Sequence, residues 1–195
     1  MSLADRVRHP AFLERVMSAE EAAALIPAGA NVGMSGFTGA GHPKAVPQAL
    51  AAHAKAEHAA GKPYKINLWT GASTAPELDG ALAAANALGQ RLPFNTDPIC
   101  RNKINTGEID FIDMHLSHVA QHAWFGFLGP LHVAVIEVLG VTADGLLIPA
   151  AAVGNNKTWL EIADKVILEV NTKPSAKMEG MHDSYYGTAI PPRRV

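Results

Sequence analysis

The residues best suited to chemistry are the glycines of Gly33-Met34-Ser35-Gly36-Phe37-Thr38-Gly39-Ala40-Gly41, which join a short apolar segment to an Ala-rich one. Glycine admits positive φ and lets a ligand approach the main chain closely. If the apolar segment is a strand and the Ala-rich one a helix, the helix's first amides are unpaired and its dipole favours an anion. In an open parallel sheet such a turn lies at the carboxyl end of a strand, where ligands bind. The pattern therefore permits a phosphate, carboxylate or oxyanion site, and equally a tight turn with no ligand. The familiar signatures fail. Lys44 stands where a dinucleotide loop needs its last glycine, His42 where a P-loop needs lysine, and Phe37 where a nucleophile elbow needs its final glycine.

A second cluster is His115, His118 and His122, with Asp110 and Asp113 just upstream. On one continuous helix the three imidazoles share a face and suit a divalent metal, the chemistry of a metal-dependent hydrolase. A change from strand to helix inside that span breaks the arrangement, and packing histidines are commoner. Cys100 beside Arg101 suggests a lowered thiol pKa, against the commoner role of a small apolar side chain. Lys44, at the start of its helix, either meets an anion or is solvated, and its charge is slightly unfavourable to the helix there. Of Met34, Phe37, Trp124, Phe125 and Phe127, which suit an acyl pocket or a core, only Phe37 lies in the turn proper, Gly36 to Gly41.

These residues need elements to hold them. Ser18-Ala19-Glu20-Glu21 is a capping box that opens a helix stopped by Pro27-Ala28-Gly29. Residues 30–35 read as a buried strand and residues 44–60 as a helix. Residues 64–70 read as a strand, and Thr74-Ala75-Pro76-Glu77 caps a helix to about Leu88. Residues 109–116 and 131–138 are strand candidates, and Asp144-Gly145 signals a hairpin. Residues 158–165 form a helix that feeds a strand over 166–170. This alternation implies βαβ units: an α/β fold with a mainly parallel open sheet, helices on both faces and one antiparallel hairpin. Residues 1–171 read as one domain. Residues 172–195, with Pro174, Gly180, Gly187, Pro191 and Pro192, read as a linker toward a missing C-terminal domain.

The segment Gly33 to Lys44 resembles the first glycine motif of the acetyl-CoA hydrolase/transferase family, the class I CoA-transferases of succinyl-CoA:acetate and propionyl-CoA:succinate type. Trp69-Thr70-Gly71-Ala72-Ser73, Asp113-Met114-His115-Leu116-Ser117, Val153-Gly154-Asn155, residues 165–171 and Glu179-Gly180-Met181-His182-Asp183 fit in the same order. The resemblance implies a glutamate nucleophile that passes through a mixed anhydride to a glutamyl-CoA thioester, from which an acceptor carboxylate takes CoA. That is covalent catalysis with no cofactor; coenzyme A is substrate. Each tetrahedral step carries an oxyanion that needs amide donors. None of this chain's glutamates lies in a segment matching the nucleophile motif. The resemblance therefore implies the N-terminal part of such an enzyme, inactive alone, with small acyl-CoA and carboxylate substrates. By the same resemblance Gly36, Phe37, Thr38 and Gly39 are expected to face the acyl or carboxylate end of the substrate, with Asn155 helping from a neighbouring strand end, and the expected partners are the C-terminal domain and a second copy in a homodimer. The alternatives are the histidine-based metal hydrolase and a non-catalytic domain exposing residues 128–138.

Composition narrows the classes. The 195 residues suffice for one domain with a real core, burying roughly 70% of the unfolded surface. Hydrophobic residues at 48% and charged residues at 17% are globular proportions. A net charge of −2 with no basic run argues against a nucleic-acid or anionic-membrane surface. One cysteine excludes an intrachain disulfide and suggests a reducing compartment. No stretch approaches the ~20 apolar residues of a membrane span, and no signal pattern opens the chain, so a cytoplasmic location is expected.

Overall fold

A computed structural model describes residues 2–182. In chain order the elements are α1 (Leu3–Arg6), α2 (Pro10–Leu13), α3 (Ala19–Ala24), β1 (Asn31–Gly33), β2 (Phe37–Thr38), α4 (Ala45–Ala59), β3 (Ile66–Trp69) and β4 (Ala72–Ser73). A π-helical turn over Pro76–Gly80 runs into α5 (Ala81–Ala84). Then come β5 (Leu88–Leu92), α6 (Pro98–Asn105), β6 (Asp110–Phe111), α7 (Leu116–Trp124), β7 (Leu131–Val141), β8 (Leu147–Pro149), α8 (Asn156–Ile162) and β9 (Ala163–Val170), with a 3-10 turn over Ala176–Met178.

The main sheet has the order β6-β5-β3-β1-β7-β8, and β9 also pairs with β7. Its strand pairs are parallel apart from β7 with β8. β2 and β4 form a separate parallel pair. This is the mainly parallel α/β sheet expected from the alternation. Along β7 the side chains alternate between two cores: Val133 and Val135 join one, Ala134 and Ile136 the other. The first core lies under α3, α4, α5 and α6, with Ala22, Leu50, Leu82 and Cys100 packed on Val32, Ile66 and Leu68. The second lies under α7 and α8, where Val119, Ala123 and Trp159 meet Trp69 and Leu92. Trp159 packs so closely that a Cβ on Gly33 of β1 would lie 3.0 Å from its ring.

Several expectations are corrected. The helix expected to run to Leu88 ends at Ala84, and Leu88–Leu92 is a strand. Its Arg91 is fully buried, because Asp79 and three carbonyls satisfy it. The strand expected over 109–116 shrinks to Asp110–Phe111, and His115 caps the helix that follows. No two-residue turn forms at Asp144-Gly145. Residues 142–146 make a wider loop, closed by Thr142 N–H donating to Leu146 O at 2.9 Å, and β8 pairs with β7 beyond it. Most of the stretch 128–138 offered as an exposed interface is instead the central strand β7, buried on both faces from Val133 onward.

The beginning of the expected linker is tied to the N-terminus. The Arg6 guanidinium donates to the carbonyls of Thr172 and Pro174, and Arg8 pairs with Glu179 at 2.9 Å. The rest of that expectation, and Asp183 of the last motif, lie outside the described residues. Among the described residues no helix is long and apolar enough to cross a membrane.

Candidate functional site

Three turns meet at the carboxyl ends of β1 and β3, the position where open parallel sheets bind ligands. The first follows β1 and carries Ser35 and Gly36; the second follows β3 and carries Thr70 and Gly71; the third precedes α8 and carries Gly154 and Asn155. Asn155 N–H donates to Ser35 Oγ at 2.9 Å, and Asn155 Nδ2 donates to Thr70 O at 3.1 Å. Ser35 and Thr70 are buried, so these bonds form away from water and fix the three turns together. Gly36 is required by space. A Cβ there would lie 2.6 Å from His42 N and 2.8 Å from the Gly41 carbonyl carbon, both main-chain atoms. Gly154 combines φ +47° with a site where a Cβ would lie 2.7 Å from Gly36 O and against Ser35 Oγ.

Beyond Gly36 the turn projects outward. Phe37 is 62% exposed, and Thr38 and Gly39 are exposed. The tip is closed by reciprocal bonds, Phe37 N–H to Ala40 O at 2.8 Å and Ala40 N–H to Phe37 O at 3.0 Å. Thr38 holds φ +46°, a left-handed conformation that a β-branched residue rarely adopts and that costs on the order of 1–3 kcal/mol. Something must hold it there, and β4 does: Thr38 pairs with Ser73, and Thr74 N–H donates to Thr38 O. The β4 strand is in turn held by Arg91, whose Nη2 donates to Ser73 O at 2.9 Å. So Gly36, Phe37, Thr38, Gly39 and Asn155 are brought to one end of the sheet. Gly36 and Asn155 form its base, and the other three its exposed rim.

Sequence reasoning missed His42 and Arg91. His42 is fully buried; its Nε2 lies 3.1 Å from Glu77 Oε1, and its Nδ1 has no partner among the described residues. Burial, and then the nearby Lys44 charge, hold its pKa below the ordinary 6.5, while Glu77 opposes them. The unfolded chain therefore takes up a proton on this side chain at 6.5, before the folded chain does. This contribution to stability is lost as pH falls from 6.5 through the folded value. The acid limb of a stability–pH profile should flatten in His42→Gln; an unchanged limb would contradict this.

The other sequence candidates separate from the site. His115, His118 and His122 form a ladder of rings with centroids 5.4 and 6.0 Å apart. His115 caps the helix and His122 Nδ1 bonds the His118 carbonyl, so the rings are committed to local contacts. Among the described residues no three metal-ligating side chains are grouped to hold an ion. Cys100 is buried, and burial pushes its thiol pKa up to about 12, the reverse of the lowering suggested by Arg101. It should resist a thiol reagent near pH 8 until the chain unfolds, whereas rapid labelling of the native chain would contradict this burial. Trp124, Phe125 and Phe127 are exposed at the end of α7, and Met34 is core. An apolar groove of about 440 Å³ runs between Val16, Met17 and Val166, and the turn residues do not line it.

The acetyl-CoA hydrolase/transferase N-terminal domain matches residues 1–189. The chain belongs to this family. A succinyl-CoA:acetate CoA-transferase of Clostridium kluyveri is 41% identical over 189 residues, covering 97% of this chain and 34% of that protein. A propanoyl-CoA:succinate CoA transferase of Escherichia coli is 44% identical over 178 residues, covering 91% and 36%. An acetyl-CoA hydrolase of Saccharomyces cerevisiae is 37% identical over 188 residues, covering 93% and 35%. The chain thus spans about a third of the length of these relatives. In fold it is similar to RipA from Yersinia pestis (TM-score 0.60, 18% identity, 80% of this chain and 36% of that one). It is also similar to glutaconate coenzyme A-transferase from Acidaminococcus fermentans (TM-score 0.59, 11% identity, 78% and 68%).

Proposed function

We propose that this chain is the substrate-facing N-terminal part of an acyl-CoA:carboxylate CoA-transferase or acetyl-CoA hydrolase, acting on small acyl-CoAs through a glutamyl-CoA intermediate. The observation that carries the reading is the exposed rim Phe37–Gly39 at the carboxyl end of β1, braced by Asn155 below and β4 beside it. Phe37, Thr38 and Gly39 present the exposed Gly39 main chain and one aromatic face to the acyl or carboxylate end of the substrate, with Gly36 buried beneath them and the Phe37 N–H given to Ala40 O. Asn155 sets the height of the turn. Coenzyme A is the substrate's carrier, and no cofactor is needed.

The nucleophilic glutamate belongs to the part of the relatives' length that this chain does not span. The glutamates nearest the turn are committed elsewhere. Glu77 holds His42, Glu137 holds Lys44 at 2.6 Å, and Glu169 caps α4. The division of labour follows from chemistry. A carboxylate attacks the thioester carbon and expels CoA thiolate, which then attacks the glutamyl carbonyl of the resulting anhydride and expels the acyl group as its carboxylate, so each step needs a donor at the developing oxyanion. A turn of glycine N–H groups provides such donors without a competing side chain. The rest of the polypeptide, a second copy and a cytoplasmic setting complete the reading.

The test is an exchange assay. The 195-residue chain with acetyl-CoA and succinate should form no succinyl-CoA. A chimera in which it replaces the matching third of the Escherichia coli relative should transfer CoA, and should lose most of that activity with Gly36→Ala. Turnover by the chain alone would contradict the placement of the nucleophile, and an inactive, folded chimera would contradict the role of the turn.

A further inference from the structure

The N-terminus of α4, expected from sequence to offer free amides to an anion, is already filled. Its first-turn donors are Lys44, Ala45 and Val46, because Pro47 has no N–H. All three reach one carboxylate. Lys44 N–H donates to Glu169 Oε1 at 2.6 Å, Ala45 N–H to Oε2 at 3.0 Å, and Val46 N–H to Oε2 at 2.9 Å. Glu169 lies on β9, 125 residues beyond Lys44. Its register partner on β7 is Glu137, 2% exposed, which takes the Lys44 ammonium at 2.6 Å. That ammonium also donates to His42 O at 2.7 Å. Two neighbouring strands thus hold the segment 42–46 by two carboxylates, one on a cation and one on main-chain amides.

We propose that Glu169 is a built-in anion and a positioning residue. It satisfies the helix terminus permanently, anchors the far end of the glycine turn to β9, and leaves the rim Phe37–Gly39 as the only part of the turn open to a substrate carboxylate. The last clause rests on the function proposed above; the first two do not. A negative charge at a helix start bonds several orphan amides at once and is favoured by the dipole. A free carboxylate in solution would compete for that place only if Glu169 were gone. An open cleft of about 610 Å³, lined by Lys44, Ala45, Gln48, Glu169 and Lys173 among others, connects it to solvent.

The chemistry of one substitution makes this testable. Glu169→Ala deletes a CH₂–COO⁻ group, the size and charge of acetate. The variant should melt at a lower temperature than the natural chain in chloride buffer. Sodium acetate at matched ionic strength should restore at least half of the loss, with Tm rising with the logarithm of acetate concentration, as for a ligand that binds the folded state alone. The natural chain should show no such gain. Glu169→Gln, which keeps the shape and blocks the space, should also show none. If Glu169→Ala fails to fold in chloride, the yield of folded chain on refolding in acetate against chloride gives the same readout. Equal responses of the three proteins, or a Glu169→Ala chain that acetate does not restore, would overturn the proposal. A carboxylate that matters only for packing would not make the variant acetate-dependent. A failed chimera assay with intact acetate rescue would remove the functional reading and leave Glu169's role standing.

Discussion

Arg91→Ala is expected to cost about 3–5 kcal/mol, enough to leave a domain of this size barely folded. Arg91 and Asp79 are both 0% exposed and meet at 2.6 Å, Nε to Oδ1. The same guanidinium donates to the carbonyls of Leu92 at 2.5 Å, Ser73 at 2.9 Å and Phe94 at 2.8 Å. Asp79 Oδ2 accepts from Ala75 N–H at 3.0 Å. Removing Arg91 strands a buried carboxylate and takes a donor from three carbonyls: Leu92 O keeps Thr70 N–H at 3.0 Å, Ser73 O keeps the Thr70 hydroxyl at 3.4 Å, and Phe94 O loses its donor. Two of those carbonyls belong to the segments that flank the turn's support, β4 and the loop after β5. Urea unfolding should show a lower midpoint with little change in slope. Pairing the substitution with Asp79→Leu should recover part of the loss, because no charge is then stranded. Recovery should stay incomplete, because Phe94 O still lacks the donor that Arg91 supplied. A single variant within about 0.5 kcal/mol of the natural chain would show that this pair holds nothing.

The second large effect is Gly36→Ala. The three nearest neighbours of the added methyl are all main chain: Ala40 O, His42 N at 2.6 Å and Gly41 C at 2.8 Å. No rotamer change relieves such contacts, so the turn must open. Overpacking of this kind costs about 1–3 kcal/mol or more. Opening it moves the Phe37–Ala40 bonds and the Thr38–Ser73 pairing that define the rim. Gly39→Ala is the internal control. A Cβ there meets nothing within 4 Å, so its stability should stay within about 0.5 kcal/mol of the natural chain. Thermal melts of the two variants side by side decide the matter. Equal stabilities would mean that the turn is not packed as described.

How much of this was legible from the sequence depends on the range over which each signal acts. The capping box at Ser18 is local, four residues long, and it forms as expected, with Ser18 Oγ accepting from Glu21 N–H and Glu21 accepting from Ser18 N–H. The glycine turn is likewise local, because close main-chain approach demands glycine wherever the chain happens to go. Strand β5 was hidden because Leu88-Gly89-Gln90-Arg91-Leu92 carries no apolar alternation, and its buried arginine is tolerated only through partners supplied by the π-helical turn and β4. The start of α6 was there to be read: Asp97 caps it and Pro98 holds its first position. The filled terminus of α4 was not legible at all. An isolated stretch from Lys44 onward shows an uncapped helix, and its cap comes from a strand more than a hundred residues on. Gly36–Gly39 and Asn155 could be grouped from their motifs, whereas His42 and Arg91 stand out only through their burial, which the chain order does not reveal.

The most direct measurement is a titration of the isotope-labelled chain with acetyl-CoA, followed at the backbone amides by NMR. Saturable shifts should centre on Gly36, Phe37, Thr38, Gly39 and the neighbouring Asn155, with the Ala45 and Val46 amides little changed because Glu169 already occupies them. Shifts confined to the groove between Val16 and Val166, or none at the turn at saturating ligand, would contradict the account.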